Sequence, residues 1–229
     1  MAQKISRMIP FAAGCLALGC LTAANAVAAE PGFYVGVNYS QVDNSVARAP
    51  YDALTADIYD SFGFVPTSSS ATFDAKDKGY GFFGGYRFFS WLALEGSYLT
   101  LGSVEHRDRS AGTFAEVAQT WSQNIETRNR GLAVSALGIL PISYRFEVYA
   151  RAGALFANNQ DRLFITDGTS SRRASGSGSS VNMLAGAGAS FAFLEIYSAR
   201  LEYQRAFDVG SDLGKGDIDV LSLGISVRF

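Results

Sequence analysis

The 229-residue chain is 48% hydrophobic and 17% charged, with 24 Gly, 17 Phe and 11 Tyr against 2 Cys and a single His. A net charge of only -2 excludes the electrostatic footprint of a nucleic-acid binder. Thiol and imidazole are too scarce for a metal centre, and the composition implies no cofactor.

Residues 1–29 begin with Lys4 and Arg7, run through the apolar stretch Met8–Leu21, and end in small residues with A-x-A sites at Ala24-Asn25-Ala26 and Ala26-Val27-Ala28. This is the three-part layout of a secretory signal peptide. Residues 1–29 are therefore assigned as a leader and residues 30–229 as the exported domain. The leader takes both cysteines, Cys15 and Cys20, so the exported part cannot rest on disulfides. No later segment approaches the ~18 apolar residues of a helical membrane span.

From Pro31 onward, hydrophobicity alternates with period two in eight runs, the signal of strands. In the first, Phe33–Gln41, residues Phe33, Val35, Val37 and Tyr39 oppose Tyr34, Gly36, Asn38 and Ser40. A long connection over 42–77 follows, in which Pro50–Tyr59 predicts a short helix with Tyr51, Leu54 and Ile58 on one face, expected to pack on the next long loop. The second and third runs, Lys78–Phe89 and Leu92–Leu101, are joined by Ser90-Trp91, and the third sets Leu92, Leu94 and Tyr98 against Glu95 and Ser97. The next long connection, 102–126, holds His106 and the run Thr113-Phe114-Ala115-Glu116, which reads as a capping box.

Runs four and five, Thr127–Leu140 and Tyr144–Ala157, flank Pro141-Ile142-Ser143, and the fifth alternates Phe146, Val148, Ala150, Ala152, Ala154 and Phe156 with Glu147, Tyr149, Arg151, Gly153 and Leu155. In the connection 158–179, the small polar stretch Thr169–Gly178 offers nothing to bury and is expected to be a mobile loop. Runs six and seven, Ser180–Phe193 and Ile196–Phe207, are joined by Leu194-Glu195; the seventh alternates Tyr197, Ala199, Leu201 and Tyr203 with Ser198, Arg200, Glu202 and Gln204. After 208–217 comes the final run, Ile218–Phe229, with Leu221, Leu223, Ile225, Val227 and Phe229 on one face and Ser222, Gly224, Ser226 and Arg228 on the other.

Short and long connections alternate, which is the layout of an outer-membrane barrel with short periplasmic turns and long extracellular loops. Aromatic residues gather near strand ends, as an interfacial girdle requires: Phe88, Phe89, Trp91, Phe193 and Phe229 by the short turns, and Tyr39, Tyr80, Tyr98, Phe156 and Phe207 toward the long loops. A backbone in lipid has no water to satisfy its amides, so strands there must close into a ring. The expectation is all-β: a closed, eight-stranded, antiparallel transmembrane β-barrel. Its apolar faces meet lipid and its polar faces fill the centre.

Several motifs carry a resemblance: Gly32-Phe33-Tyr34-Val35-Gly36, Phe83-Gly84-Gly85-Tyr86-Arg87-Phe88, Leu92-Ala93-Leu94-Glu95, Tyr149-Ala150-Arg151-Ala152-Gly153, Ala199-Arg200-Leu201-Glu202-Tyr203, and the terminal Leu221–Phe229. In order and spacing the chain resembles the eight-stranded outer-membrane barrels of Gram-negative bacteria, the OmpA/OmpX-like and opacity-type surface proteins. The resemblance implies an integral protein of the cell outer membrane in contact with its lipid and lipopolysaccharide. It also implies that the barrel assembly machinery reads Leu221, Leu223, Ile225, Val227 and Phe229.

The inward polar set comprises Arg87, Glu95, Glu147, Arg151, Arg200, Glu202 and Arg228. Small barrels have interiors that side chains fill, so these residues are expected to form a structural network, with Glu95 on Arg151 or Arg200 and Glu202 on a neighbouring Arg. His106 stands in His106-Arg107-Asp108 without the following Ser of the barrel deacylases, and reads as a solvated loop residue. The chain is accordingly read as a non-enzymatic structural or surface-interaction protein, with a narrow channel for small solutes or a lipid-modifying enzyme as the alternatives.

Overall fold

The computed structural model describes residues 31–211 and 214–229; the leader assigned to residues 1–29 lies outside them. The elements are β1 (Gly32–Asn44), α1 (Ala49–Phe62), β2 (Phe64–Asp74), β3 (Lys76–Phe89), β4 (Leu92–Phe114), β5 (Val117–Pro141), β6 (Phe146–Thr166), β7 (Ser171–Ala192), β8 (Tyr197–Ser211) and β9 (Gly214–Arg228). Hydrogen-bonded neighbours run β4-β3-β1-β9-β8-β7-β6-β5, and β5 pairs with β4 again. All pairings are antiparallel. The ring of eight strands leaves no sheet edge within the barrel.

The expected alternation holds around the ring. Leu221, Leu223 and Ile225 are exposed on the outer surface while Ser222 and Ser226 beside them are buried. Arg151, Arg200, Glu95 and Glu202 are all buried, and Phe33, Val35, Val37, Leu132, Phe156 and Leu201 are exposed. Among the described residues no helix is long and apolar enough to cross a membrane.

The long connections differ from their expected form. β4 and β5 span 23 and 25 residues and absorb all of 102–126 but the two-residue turn Ala115-Glu116. Thr113–Glu116 is no helix start: Ala115 and Glu116 sit at φ 48 and 65, the paired left-handed conformation of a tight hairpin turn. Likewise β6 and β7 carry their ladder from Phe146↔Phe191 to Thr166↔Ser171, so the Ser/Gly stretch expected as a loop is strand. The turn that closes this hairpin is held by the Asp167 carboxylate, which accepts the N–H groups of Thr169 and Ser170 at 2.8 and 2.5 Å. Backbone pairing supplies the order that small side chains cannot.

The first long connection contains both the expected helix and an unexpected strand. β2 pairs with β4 from Phe64↔Phe114 to Asp74↔Glu105, and β3 takes the same flank of β4 up to Gly81↔Leu99. β2 and β3 are therefore one path along β4, interrupted at Ala75. Opposite the break, Gly102 adopts φ 72 where the β4–β5 register shifts between Thr100 and Ser103, a bulge whose left-handed backbone favours glycine.

β1, β8 and β9 stop near this level, while β2, β4, β5, β6 and β7 continue. The wall thus rises on one side into a five-stranded lobe at the long-loop end. Helix α1 starts with a proline in its first turn and closes on Gly63 at φ 71. Of its expected apolar face, Tyr51 is buried and Leu54 and Ile58 pack partly buried against the lobe.

Candidate functional site

The inward-facing residues stack in layers along the barrel. Nearest the short turns, the Arg87 guanidinium pairs with Glu147 at 2.8 Å and donates to the Ser90 carbonyl at 2.5 Å. Arg228 lines the same vestibule with Tyr34, Glu147 and Ser226, and among the described residues it makes no ion pair.

The next layer joins two acids and two bases, all buried. Glu95 pairs with Arg151, and with Arg200 at 2.8 Å. Glu202 pairs with Arg151 at 3.0 Å and Arg200 at 3.2 Å. Charges taken out of water persist only where partners compensate them, and this square is further satisfied by neighbours. The Tyr34 hydroxyl donates to Glu95 at 3.0 Å, the Tyr149 hydroxyl to Glu202 at 2.7 Å, and Arg151 donates to Gln204 at 3.1 Å. The Arg200 guanidinium also lies 4.4 Å from the Phe83 ring centre and 4.8 Å from that of Tyr149, a cation–π arrangement.

Tyr34, Tyr149, Phe83 and Gln204 were not singled out from the sequence as site residues. Each stands on an inward parity position of its strand, and that was the available signal. Their rings need room, which glycine provides: a Cβ on Gly85 would strike Tyr34, and one on Gly188 would strike Tyr149.

Beyond the ionic layer, toward the long-loop end, lies an apolar one. Val42, Leu99, Leu101, Leu155, Leu184, Ile218 and Val220 come together from β1, β4, β6, β7 and β9, each no more than 4% exposed. These residues lie on inward positions where alternation predicts polar groups, so strand parity alone does not reveal them. Helix α1 forms the outermost layer. Tyr51 packs with Val104 and Ile125, and Tyr59 with Phe64, Trp121 and Ile165. The Tyr59 hydroxyl donates to Asp108 at 2.5 Å, and Ser110 donates to the same oxygen at 2.7 Å.

His106 corrects the sequence reading: it is 0% exposed, not solvated. It lies on the inward face of β4 beside the paired rings of Tyr51 and Phe73, at 6.1 and 6.3 Å between centres. Its Nε2 is 3.7 Å from Asp52 of α1, and neither ring nitrogen has a hydrogen-bond partner. Ser110 donates to Asp108 instead of to the imidazole, so these residues do not form a nucleophile–base pair. The mixed character of Glu105–Ser110 hid this strand from a hydrophobicity reading.

Burial holds the His106 imidazole below the ordinary histidine value; Asp52 and Asp108 oppose that effect and Arg48 adds to it. A histidine with a depressed folded value contributes stability that is intact above the ordinary range and is lost as pH falls through it toward the lower folded value. Proteolysis of the segment around α1 is therefore expected to accelerate between pH 7.5 and pH 5, roughly across the ordinary histidine range. In H106L the same cleavage should be flat with pH; equal acid sensitivity in that variant would remove His106 as the cause.

On the outer surface of β9, Leu221, Leu223, Ile225 and Val227 form one row, and the Phe229 N–H donates to the Phe33 carbonyl at 2.9 Å. The inward Arg228 is the row's polar counterpart.

Residues 28–229 match the model of the OmpA-like transmembrane domain. Outer membrane protein A of Yersinia pseudotuberculosis is 29% identical over 159 residues, which cover 67% of this chain and 41% of that protein; the chain thus matches about two fifths of that relative's length. Among solved structures, Neisserial surface protein A is 16% identical at a TM-score of 0.48, covering 86% of this chain and 97% of that one. Ail, the attachment invasion locus protein of Yersinia pestis, is 16% identical at 0.45, covering 87% and 97%. The family match spans all the described residues and agrees with a ring of eight antiparallel strands whose apolar rows face outward: the chain belongs to the OmpA-like transmembrane domain family and is a β-barrel of the outer membrane.

Proposed function

We propose that this chain is a closed, non-enzymatic barrel with an envelope-structural or surface-interaction role, its lobe facing the exterior and its short turns the periplasm. The carrying observation is the succession of inward layers: the Glu95–Arg151–Arg200–Glu202 square, the apolar layer of Leu99, Leu101, Leu155 and Leu184, and α1. An ion crossing this path meets buried, mutually paired charges and then a layer of buried apolar side chains. Arg87 with Glu147, and Arg228 beside them, complete the interior polar network at the short-turn mouth.

The orientation follows from the contrast of short turns and a long lobe. On this reading the leader, residues 1–29, is removed on export. Membrane lipid and lipopolysaccharide contact the outer surface, and the assembly machinery recognises the outward row Leu221, Leu223, Ile225, Val227 and Phe229. The non-enzymatic reading is supported by His106, whose buried ring lacks a serine partner.

Planar-bilayer recording of the refolded protein tests the closed lumen. The expected trace shows no reproducible conductance steps in 1 M salt; discrete, repeatable open levels would replace this reading with the narrow channel.

A further inference from the structure

Outside the barrel, just past the apolar band at the long-loop end, the charge is unevenly distributed. On the outer face of β3–β6, Tyr80, Tyr98, Leu132 and Phe156 mark the edge of the band. Arg130 is two residues beyond Leu132 on the same face of β5, about 7 Å along the strand, and Arg128 follows. Arg130 stands opposite Thr100 on one side and Asn158 on the other. Lys78 lies two residues beyond Tyr80, and Arg162 crosses the ladder from Glu126. Lys78, Arg128, Arg130 and Arg162 border one shallow groove floored by Tyr80, Tyr98 and Thr100.

The acids nearby are already engaged. The Glu126 carboxylate is taken by Arg128 at 2.5 Å, and Asp77 accepts the N–H and hydroxyl of Ser103 at 2.9 and 2.8 Å. Among the described residues Lys78, Arg130 and Arg162 make no ion pair. Beside the groove, on the adjoining strands, Asp43 faces Asp219 across the β1–β9 ladder; Lys76 pairs with Asp43 at 3.4 Å and Arg205 with Asp219 at 2.6 Å. The groove thus carries spare cations, whereas Lys76 and Arg205 beside it are already paired with acids.

We infer that the groove of Lys78, Arg128, Arg130 and Arg162 is a site for the phosphate groups of a membrane lipid headgroup. The tyrosines and the apolar row below it align with acyl chains, and the arginines stand where headgroup phosphates lie. Guanidinium forks match phosphate oxygens bidentately. A soluble anion would gain nothing from the apolar row, so the site commits to a lipid. The inference rests on the membrane-barrel assignment, and heat-modifiable migration of the folded protein reports on that assignment separately.

The test is native mass spectrometry of the detergent-solubilised, folded barrel mixed with diphosphoryl lipid A, with monophosphoryl lipid A, or with diphosphoryl lipid A plus excess inorganic pyrophosphate. The wild type is expected to retain the diphosphoryl form best, and pyrophosphate is expected not to displace it. R130Q/R162Q should retain at least about fivefold less, R130K/R162K, which keeps the charge but not the fork, should fall between the two, and K215Q, at the tip of the β8–β9 hairpin where Lys215 stands opposite Gly210, should match the wild type. Equal retention by R130Q/R162Q and wild type, equal loss in K215Q, or displacement by pyrophosphate would overturn the assignment. If R130Q/R162Q does not fold, the lysine pair decides: retention clearly below wild type supports the guanidinium site, and retention equal to wild type refutes it.

Discussion

E95A is expected to cost the folded barrel about 3–5 kcal/mol, the range for breaking a buried ion pair by removing one partner. Glu95 is 1% exposed in its side chain and is the acceptor common to Arg151, Arg200 and Tyr34. Without it, two buried guanidiniums share the single carboxylate of Glu202, and one positive charge is left uncompensated. The comparison that isolates charge from packing is E95A/R151A, which leaves the Arg200–Glu202 pair at 3.2 Å intact and balanced. Urea unfolding of the refolded protein in vesicles should rank the double variant above the single one. A single variant losing less than about 1 kcal/mol, or a double variant weaker than the single, would mean that the square is incidental to stability.

The second large effect is local. Y51A removes a ring that is 1% exposed, stacks edge-on against Phe73 at 5.5 Å between centres, and packs among Val104 and Ile125. Truncating a buried aromatic costs about 3–5 kcal/mol. Helix α1 makes no ladder hydrogen bonds to the ring, so that loss should release α1 and leave the barrel standing. Protease is expected to cut within residues 45–63 of Y51A while the folded barrel keeps its heat-modifiable migration. Y51F keeps the ring and gives up only a 3.5 Å contact to Thr127, so its cleavage should stay near that of the wild type. Wild-type resistance in Y51A, or collapse of the barrel with it, would show that α1 is not docked through this ring.

What could be read from the sequence depended on whether burial and polarity coincided. In β9 they do: Leu221, Leu223 and Ile225 face outward, Ser222 and Ser226 inward, and alternation alone gives both face and strand. The helix at Pro50–Tyr59 was legible because its proline and its apolar spacing agreed. The lobe was not legible. Along β4 the inward positions Val104, His106, Asp108 and Ser110, which lie under α1, mix apolar with polar groups, and the outward Glu105, Arg107 and Arg109 are charged, so no apolar row marks either face. In β7, Ser171–Ser180 buries nothing and is ordered by its ladder to β6, which no side-chain pattern records. Of the site, Glu95, Arg151, Arg200 and Glu202 could be named because charge on an inward face must be paired. The apolar layer could not: alternation places Leu155 inward with Glu147 and Arg151, but an inward position is expected to be polar, so nothing in the pattern predicts that Leu99, Leu155 and Leu184 meet as a layer.

The unbroken ladders that join barrel and lobe limit where the chain can change in length. From Ser103↔Arg128 to Phe114↔Val117, β4 and β5 stay in register, and β6 and β7 do so from Phe146↔Phe191 to Thr166↔Ser171. A single residue inserted within either hairpin would turn the side chains beyond it to the opposite face; placed in β4 just before His106, it would carry His106 and Asp108 out of the interior. A peptide spliced between Gly168 and Thr169, where the chain already reverses, separates Asp167 from Thr169 and Ser170 but leaves the β6–β7 ladder from Phe146↔Phe191 to Thr166↔Ser171 in register. That tip is the natural graft point for displaying a foreign sequence on this scaffold.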